Sequence, residues 1–233
     1  MNYKMMGKFI SQILFVEAAF MLPALLLSIV YGEQSAVRGF IGAIIITLII
    51  AAIMYVLCRN AVKRFYAREG LVCVGMSWIA LSIMGCLPFF ISREIPDFLD
   101  ALFEIVSGFT TTGSSILTDV EALSHGLLYW RSFSHWLGGM GVLVFLLAVV
   151  TRDRGGSGFT MHILRAESPG PNVGKLVPKM HTTARILYVI YVLLTIINIV
   201  FLLFGGMPVF EAVCTAMGTA GTGGFGIKND SIA

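Results

Sequence analysis

Hydrophobic positions in this chain fall in long unbroken runs, without the stripe of a surface helix or the alternation of a half-buried strand. A helix needs about 20 consecutive apolar residues to cross the hydrocarbon core of a bilayer. Five segments predict such a helix. The first runs from about Phe9 to Tyr31 with Glu17 as its single charge, the second from Gly39 to Cys58, and the third from Gly70 to Ser92. The fourth extends from Ser132 to Thr151, and the fifth from Ile186 to Leu203, where Gly205-Gly206 stops it. The last four carry no charge at all.

Two stretches break this pattern in the same way. Ile95-Pro96-Asp97 is a helix start signal, and the residues from Phe98 to Ser107 that follow are apolar enough to enter a membrane. About ten helical residues span only ~15 Å, half of the ~30 Å core. A Gly/Thr run, Gly108-Phe109-Thr110-Thr111-Thr112-Gly113-Ser114-Ser115, comes next. Pro208 likewise begins a short helical run to Met217, followed by Gly218-Thr219-Ala220-Gly221-Thr222-Gly223-Gly224-Phe225. Setting Gly223 against Gly113 also pairs Gly218 with Gly108 and Thr222 with Thr112. The proline-to-glycine spacing is 17 residues in one copy and 15 in the other, which leaves the register inside the second half-helix open. The predicted unit is a spanning helix, a half-helix re-entering from outside, a Gly/Thr hairpin and a spanning helix.

Irregular backbone at membrane depth is tolerated only where protein buries it or a watery cavity lines it. A re-entrant half-helix aims its partially negative C-terminal end at the membrane centre. An extended Gly/Thr backbone can present carbonyl oxygens that replace an ion's hydration shell, and glycine supplies the positive φ this demands. These features point to a cation site. A loop that merely packs helices together would not need the same punctuation twice.

Composition supports the membrane reading: 57% of the 233 residues are hydrophobic and only 12% are charged, about half the usual charge content. Disorder, a collagen-like chain and a disulfide scaffold are excluded on the same grounds. The formal net charge of +3 is too small to suggest nucleic-acid binding. Cys58, Cys73, Cys86 and Cys214 lie in or beside apolar runs with no CxxC pair, and read as free thiols. The first apolar run is longer than a signal-peptide core and lacks a cleavage site, so it reads as a retained helix. Charge position sets orientation. Lys4 and Lys8, then Arg59, Lys63, Arg64 and Arg68, then six bases in 152–185, put twelve of the sixteen Lys and Arg on one side. That side is expected to be cytoplasmic, with the N-terminus inside. Residues 93–131 carry six acids against two bases, which would concentrate cations at an outer mouth.

The stretches GFTTTGSS (108–115), WRSFSHWLGGMG (130–141), RAESPGPNVGKLVPK (165–179) and GTAGTGGFGIKND (218–230) together resemble the TrkH/KtrB/HKT superfamily. The two extra N-terminal helices and the ESPGP loop resemble its TrkH branch. The resemblance implies an all-α multi-pass membrane protein, with two N-terminal helices followed by helix–pore-loop–helix repeats of K+ channel type, one complete and one truncated. Its parts would be an N-terminal hairpin (1–68), a first repeat (69–151), a cytoplasmic loop (152–185) and a second repeat cut after its filter (186–233). It implies K+ uptake in a bacterial or archaeal plasma membrane, as a homodimer when full length, gated by a cytoplasmic TrkA-type nucleotide-binding regulator. K+ would be the transported ion and the lipid bilayer the surroundings, with no further cofactor and no transition-metal site. One filter glycine per repeat maps to Gly113 and Gly223. The selectivity filter would comprise Thr110, Thr111, Thr112, Gly113, Ala220, Gly221, Thr222 and Gly223, with carbonyls of Thr111, Thr112, Gly221 and Thr222 as the main ligands. The family builds its pore from four repeats, so this sequence is expected to be the N-terminal half of a longer protein.

Smaller features have plainer expectations. Glu17 is expected to pack against a polar neighbour or snorkel. Arg131, beside Tyr129 and Trp130, reads first as an interfacial anchor and second as an ion-pair partner of a half-helix acid. His135 has no partner at metal-ligand spacing and reads as a hydrogen-bonded packing residue. Gly138-Gly139 and Gly141 should let the fourth helix approach the half-helix closely. No nucleophile–base pair, Walker loop or metal triad suggests an enzyme. An ion-coupled secondary transporter or a Na+-permeable relative is the alternative, though inverted repeats would favour the former and these copies share one orientation.

Overall fold

The computed structural model describes residues 3–59, 67–141 and 180–230. They form eight helices: α1 (Tyr3–Val30), α2 (Gln34–Leu57), α3 (Ala67–Gly85), α4 (Leu87–Ser92), α5 (Phe98–Phe109), α6 (His125–Met140), α7 (Met180–Phe204) and α8 (Val209–Ala220). No strand occurs among the described residues. Among the described residues, four segments are long and apolar enough to cross a membrane: Tyr3–Val30, Gln34–Leu57, Gly70–Ser92 and Ile186–Phe204. These match four of the five expected spans.

The third span is interrupted. Pro88 stands at the start of α4, and a proline inside a helix removes one hydrogen bond and clashes with the preceding turn. The break falls at Cys86, where the Gly85 carbonyl accepts the Trp130 indole N–H at 2.9 Å. The fourth span also differs from expectation. Its helix starts at His125, seven residues before the expected Ser132, because Glu33 and Glu94 cap it from neighbouring elements. It ends at Gly141 with φ 70°, and the remainder of that span, like most of the 152–185 loop, lies outside the described residues.

The helices pack as two connected groups around α6. α1 lies against α2, α3 and α6, while α2 also covers α4. α5 fits between α3 and α6, and α8 between α6 and α7. Apolar side chains such as Ile13, Leu14, Met21, Phe40, Phe89, Ile105, Leu127 and Trp130 are fully buried. The outward faces of α1, α2 and α7 remain apolar and exposed, among them Leu26, Ile53, Leu193 and Phe201, as lipid-facing helices require. The four cysteines are free, three of them buried.

Glu33, in the turn between α1 and α2, ties the N-terminal pair to the start of α6. Its carboxylate accepts the backbone N–H groups of His125 at 2.7 Å and Gly126 at 3.2 Å, and contacts His125 Nδ1 at 2.8 Å. These are orphan donors of a helix start, and Tyr31 stacks on the His125 ring at 3.9 Å. Replacing Glu33 with Ala should destabilise the protein by about 1.5–3 kcal/mol, the range for hydrogen bonds to a charged group. A thermal melt in detergent would read this as a lowered midpoint, with Glu33→Gln falling between Ala and wild type. An unchanged midpoint for Glu33→Ala would refute the capping role.

Candidate functional site

α5 and α8 each carry a Gly/Thr turn to the flank of α6. Asp97 starts α5 by accepting the N–H groups of Leu99 at 2.8 Å and Asp100 at 3.2 Å, a side-chain cap for otherwise unpaired donors. Pro208 holds the matching position before α8. Both helices are 12 residues long, about 18 Å, so each reaches only partway through a bilayer core. Both run further than the sequence suggests: Gly108-Phe109 and Gly218-Thr219-Ala220 are helical. Near both ends a threonine hydroxyl bonds back one turn, Thr110 to the Val106 carbonyl at 2.7 Å and Thr219 to the Thr215 carbonyl at 2.8 Å. Ala220 is therefore the last residue of α8, and Thr110 caps α5.

The turns are alike in backbone. Thr111 N–H bonds to the Gly108 carbonyl and Thr222 N–H to the Thr219 carbonyl, both at 3.0 Å. Thr111 and Thr222 have φ of 55° and 61°, a left-handed conformation that a β-branched residue adopts only under constraint. Two residues on, Gly113 and Gly224 have φ of 74° and 86°. In conformation Thr222 thus answers Thr111 and Gly224 answers Gly113, one residue beyond the pairing that matched glycines suggest. The Gly223-Gly224 doublet hid this, since either glycine satisfies the sequence match.

The two turns meet. A side chain on Gly113 would overlap the Gly223 carbonyl, and one on Gly223 would lie 2.5 Å from the Thr111 carbonyl oxygen and run into the His135 ring. Gly221 is buried against His135, and Thr110, Thr112 and Thr222 are exposed. The Thr110 and Thr112 hydroxyls pair at 2.9 Å. α6 holds both turns through its small residues. A Cβ on Gly138 would collide with the Phe109 carbonyl, and one on Gly139 would stand 2.9 Å from Gly221 Cα. The ends of both half-helices therefore converge on one helix, as the Gly138-Gly139 pair suggests.

Arg131 and Glu104 form the polar bolt of this arrangement. The guanidinium Nε donates to Glu104 Oε1 at 2.5 Å, with the two side chains 3% and 0% exposed. Nη1 donates to the Gly226 carbonyl at 2.7 Å, and the cation sits 3.6 Å from the Phe225 ring centroid. Glu104 also accepts the Ser115 hydroxyl at 2.9 Å and the Ile116 N–H at 3.1 Å. Arg131 is thus a structural ion-pair partner, the second of its two expected roles. Sequence reasoning missed Phe225, Gly226 and Ser115, whose part depends on folded geometry.

Outside the turns, Asn229 clasps the two copies together. Its side chain accepts Val120 N–H at 2.8 Å and donates to Asp119 at 2.9 Å, while its own N–H donates to Glu121 at 3.1 Å. Lys228 pairs with Glu211 at 2.8 Å, and that hydrogen bond raises the lysine above its ordinary pKa.

Two expectations need correction. Glu17 neither snorkels nor finds a polar partner: it is 2% exposed, with neither carboxylate oxygen hydrogen-bonded. Its surroundings include Ile105, Phe109 and Gly85. His135 is buried, but neither ring nitrogen is hydrogen-bonded, so it is not the satisfied packing residue expected. Among the described residues no group of three or more His, Cys, Asp or Glu could hold a metal ion.

The chain is similar to known proteins in sequence and in fold. Residues 37–233 match the TrkH family model, described as cation transport protein. The chain is 36% identical to the Trk system potassium uptake protein TrkG of Escherichia coli, covering 91% of this chain and 43% of that protein. It is 33% identical to the Trk system potassium uptake protein TrkH of Salmonella typhimurium over 100% of this chain and 48% of that one. The crystal structure of the potassium transporter TrkH from Vibrio parahaemolyticus superposes with a TM-score of 0.80 at 27% identity, covering 100% of this chain and 46% of that chain. This chain spans about half the length of the curated relatives it matches.

Removing one member of a buried ion pair strands a charge and costs about 3–5 kcal/mol, whereas replacing both with apolar residues costs much less. Arg131→Met should therefore abolish accumulation of folded protein. Glu104→Leu combined with Arg131→Met should recover part of it. Quantifying membrane-inserted protein for both single variants and the double variant checks this; equal loss in all three would argue against the pair as the critical element.

Proposed function

This chain belongs to the TrkH family of cation transport proteins, and from that premise we propose that it forms two of the repeats lining a channel-like potassium-uptake pore. The observation that carries the reading is the meeting of two Gly/Thr turns, each delivered by a half-helix, against α6. α5 and α8 turn the negative ends of their dipoles toward this place, which favours a cation. Backbone carbonyls there can replace an ion's water shell.

The ion path runs along Thr110, Thr111, Thr112 and Gly113 in the first repeat and Ala220, Gly221, Thr222 and Gly223 in the second. The carbonyls of Thr111, Thr112, Gly221 and Thr222 are its main ligands. Ala220 contributes as the last carbonyl of α8, and the positive φ of Gly224 extends the path by one residue. Further repeats complete the ring, consistent with relatives of about twice this length. The parts are an N-terminal hairpin (1–68), a first repeat (69–151), a cytoplasmic loop (152–185) and a second repeat (186–233). The complete protein is a homodimer in the plasma membrane of a bacterium or archaeon, with its N-terminus inside. Its basic cytoplasmic loop docks a TrkA-type nucleotide-binding regulator.

Three outcomes follow. Residues 1–233 alone should not restore growth of a K+-uptake-deficient bacterium at low potassium, whereas the extended gene should; rescue by the shorter chain would overturn the incomplete-ring argument. A cysteine at Ser157 should resist a membrane-impermeant reagent applied to intact cells, while one at Glu121 should react, and the reverse pattern would invert the topology. In the full-length protein, Gly113→Ser should raise Na+ uptake relative to Rb+ uptake at normal protein levels. The side chain would displace the neighbouring Gly223 carbonyl and strain a positive-φ position. An unaltered ratio would mean the ion path lies elsewhere.

A further inference from the structure

α7 packs along α8 and reaches α6 through two side chains one turn apart, Tyr191 and Thr195. The Thr195 hydroxyl accepts the Trp136 indole N–H at 3.1 Å and donates to the Tyr191 carbonyl of its own helix at 2.8 Å. The Tyr191 hydroxyl donates to the Trp136 carbonyl at 3.0 Å, and its ring packs on the Trp136 ring with centroids 5.4 Å apart. Interhelical hydrogen bonds of this kind hold membrane helices together, which accounts for Thr195. The Tyr191 bond lands on the backbone of α6. A carbonyl has two lone pairs, and the bond to the next helical turn uses one of them. Tyr191 reaches the other because Gly139 lacks a side chain: a Cβ there would stand 2.6 Å from the hydroxyl. The same gap admits the second turn, since that Cβ position is 2.9 Å from Gly221 Cα and 3.4 Å from the Ala220 carbonyl oxygen. Gly139 is thus held between the Tyr191 hydroxyl and the turn.

We propose that Tyr191 is a positioning residue for ion selectivity. Its hydroxyl fixes the last turn of α6 at Gly139, the surface against which Gly221 rests, and so sets where the carbonyls of the second turn stand. Without that bond the backbone at Gly139 can shift, and the turn gains freedom to close on an ion smaller than K+. The inference rests on the reading that these turns form the ion path. A merely structural clasp would treat Tyr191 and Thr195 alike, because each supplies one hydrogen bond between α6 and α7. The Thr195 bond ends on the indole, however, and leaves the backbone beside Gly139 untouched.

The test measures Rb+ and Na+ uptake in the full-length protein for wild type, Tyr191→Phe, Thr195→Val and Gly113→Ser, normalised to inserted protein. Tyr191→Phe removes one oxygen and keeps the ring on Trp136. It should raise the Na+/Rb+ ratio about 2- to 10-fold, the factor that one net hydrogen bond corresponds to. Thr195→Val should retain the wild-type ratio. A wild-type ratio for Tyr191→Phe, or an equal rise in both variants, would overturn the positioning role. Failure of Tyr191→Phe to accumulate would assign the hydroxyl to assembly and overturn it as well. A raised ratio for Gly113→Ser beside an unaffected Tyr191→Phe would sink the role of Tyr191 alone, and no effect of Gly113→Ser would remove the ion path on which it rests.

Discussion

A guanidinium buried inside a membrane-embedded bundle must be given a carboxylate and further acceptors, or the helix carrying it will not insert. Arg131 meets that requirement with Glu104 from α5, the Gly226 carbonyl from beyond α8 and the face of Phe225. The consequence is architectural. One side chain on α6 binds the first half-helix through charge and the segment after the second turn through a backbone bond. Glu104 extends the link by fixing Ser115 and Ile116 on the far side of the first turn. Each turn is therefore anchored close to its carbonyls, so that left-handed threonines at 111 and 222 persist.

Small residues then decide how near the turns can come. Gly138 and Gly139 on α6 leave no atoms between that helix and the ends of α5 and α8. Close approach through small residues is how membrane helices gain packing without a hydrophobic driving force. The same logic places Gly113 against the Gly223 carbonyl. Any side chain at these points would separate the half-helices from α6 or the turns from one another.

The N-terminal helices are held to this centre by charge at one end and by apolar packing below. Glu33 and Glu94 cap α6, while the Trp130 indole donates to the Gly85 carbonyl at the break in the third span. Glu17 stands apart as a buried carboxylate with no hydrogen bond, packed near Ile105 and Phe109 of the first half-helix.

What the sequence determined by itself is whatever depends on runs and local signals. Apolar length marks α1, α2, the third span and α7 because crossing a bilayer sets a minimum run, and Pro96-Asp97 and Pro208 mark both half-helix starts because capping is local. The Gly/Thr repeats were legible for the same reason. Helix ends were not: Gly108 and Gly218 look like breakers, yet both are helical, Gly108 against Ser134 of α6 and Gly218 against the Phe225 backbone. Tertiary structure alone chose Glu104 as the partner of Arg131 from the six acids of the 93–131 segment, since pairing depends on which carboxylate is buried beside it. It also set the conformational match of Thr222 with Thr111, because φ at a turn follows from the contacts around it. The same contacts placed His135 behind Gly223, a proximity between residues 88 positions apart that no local pattern encodes.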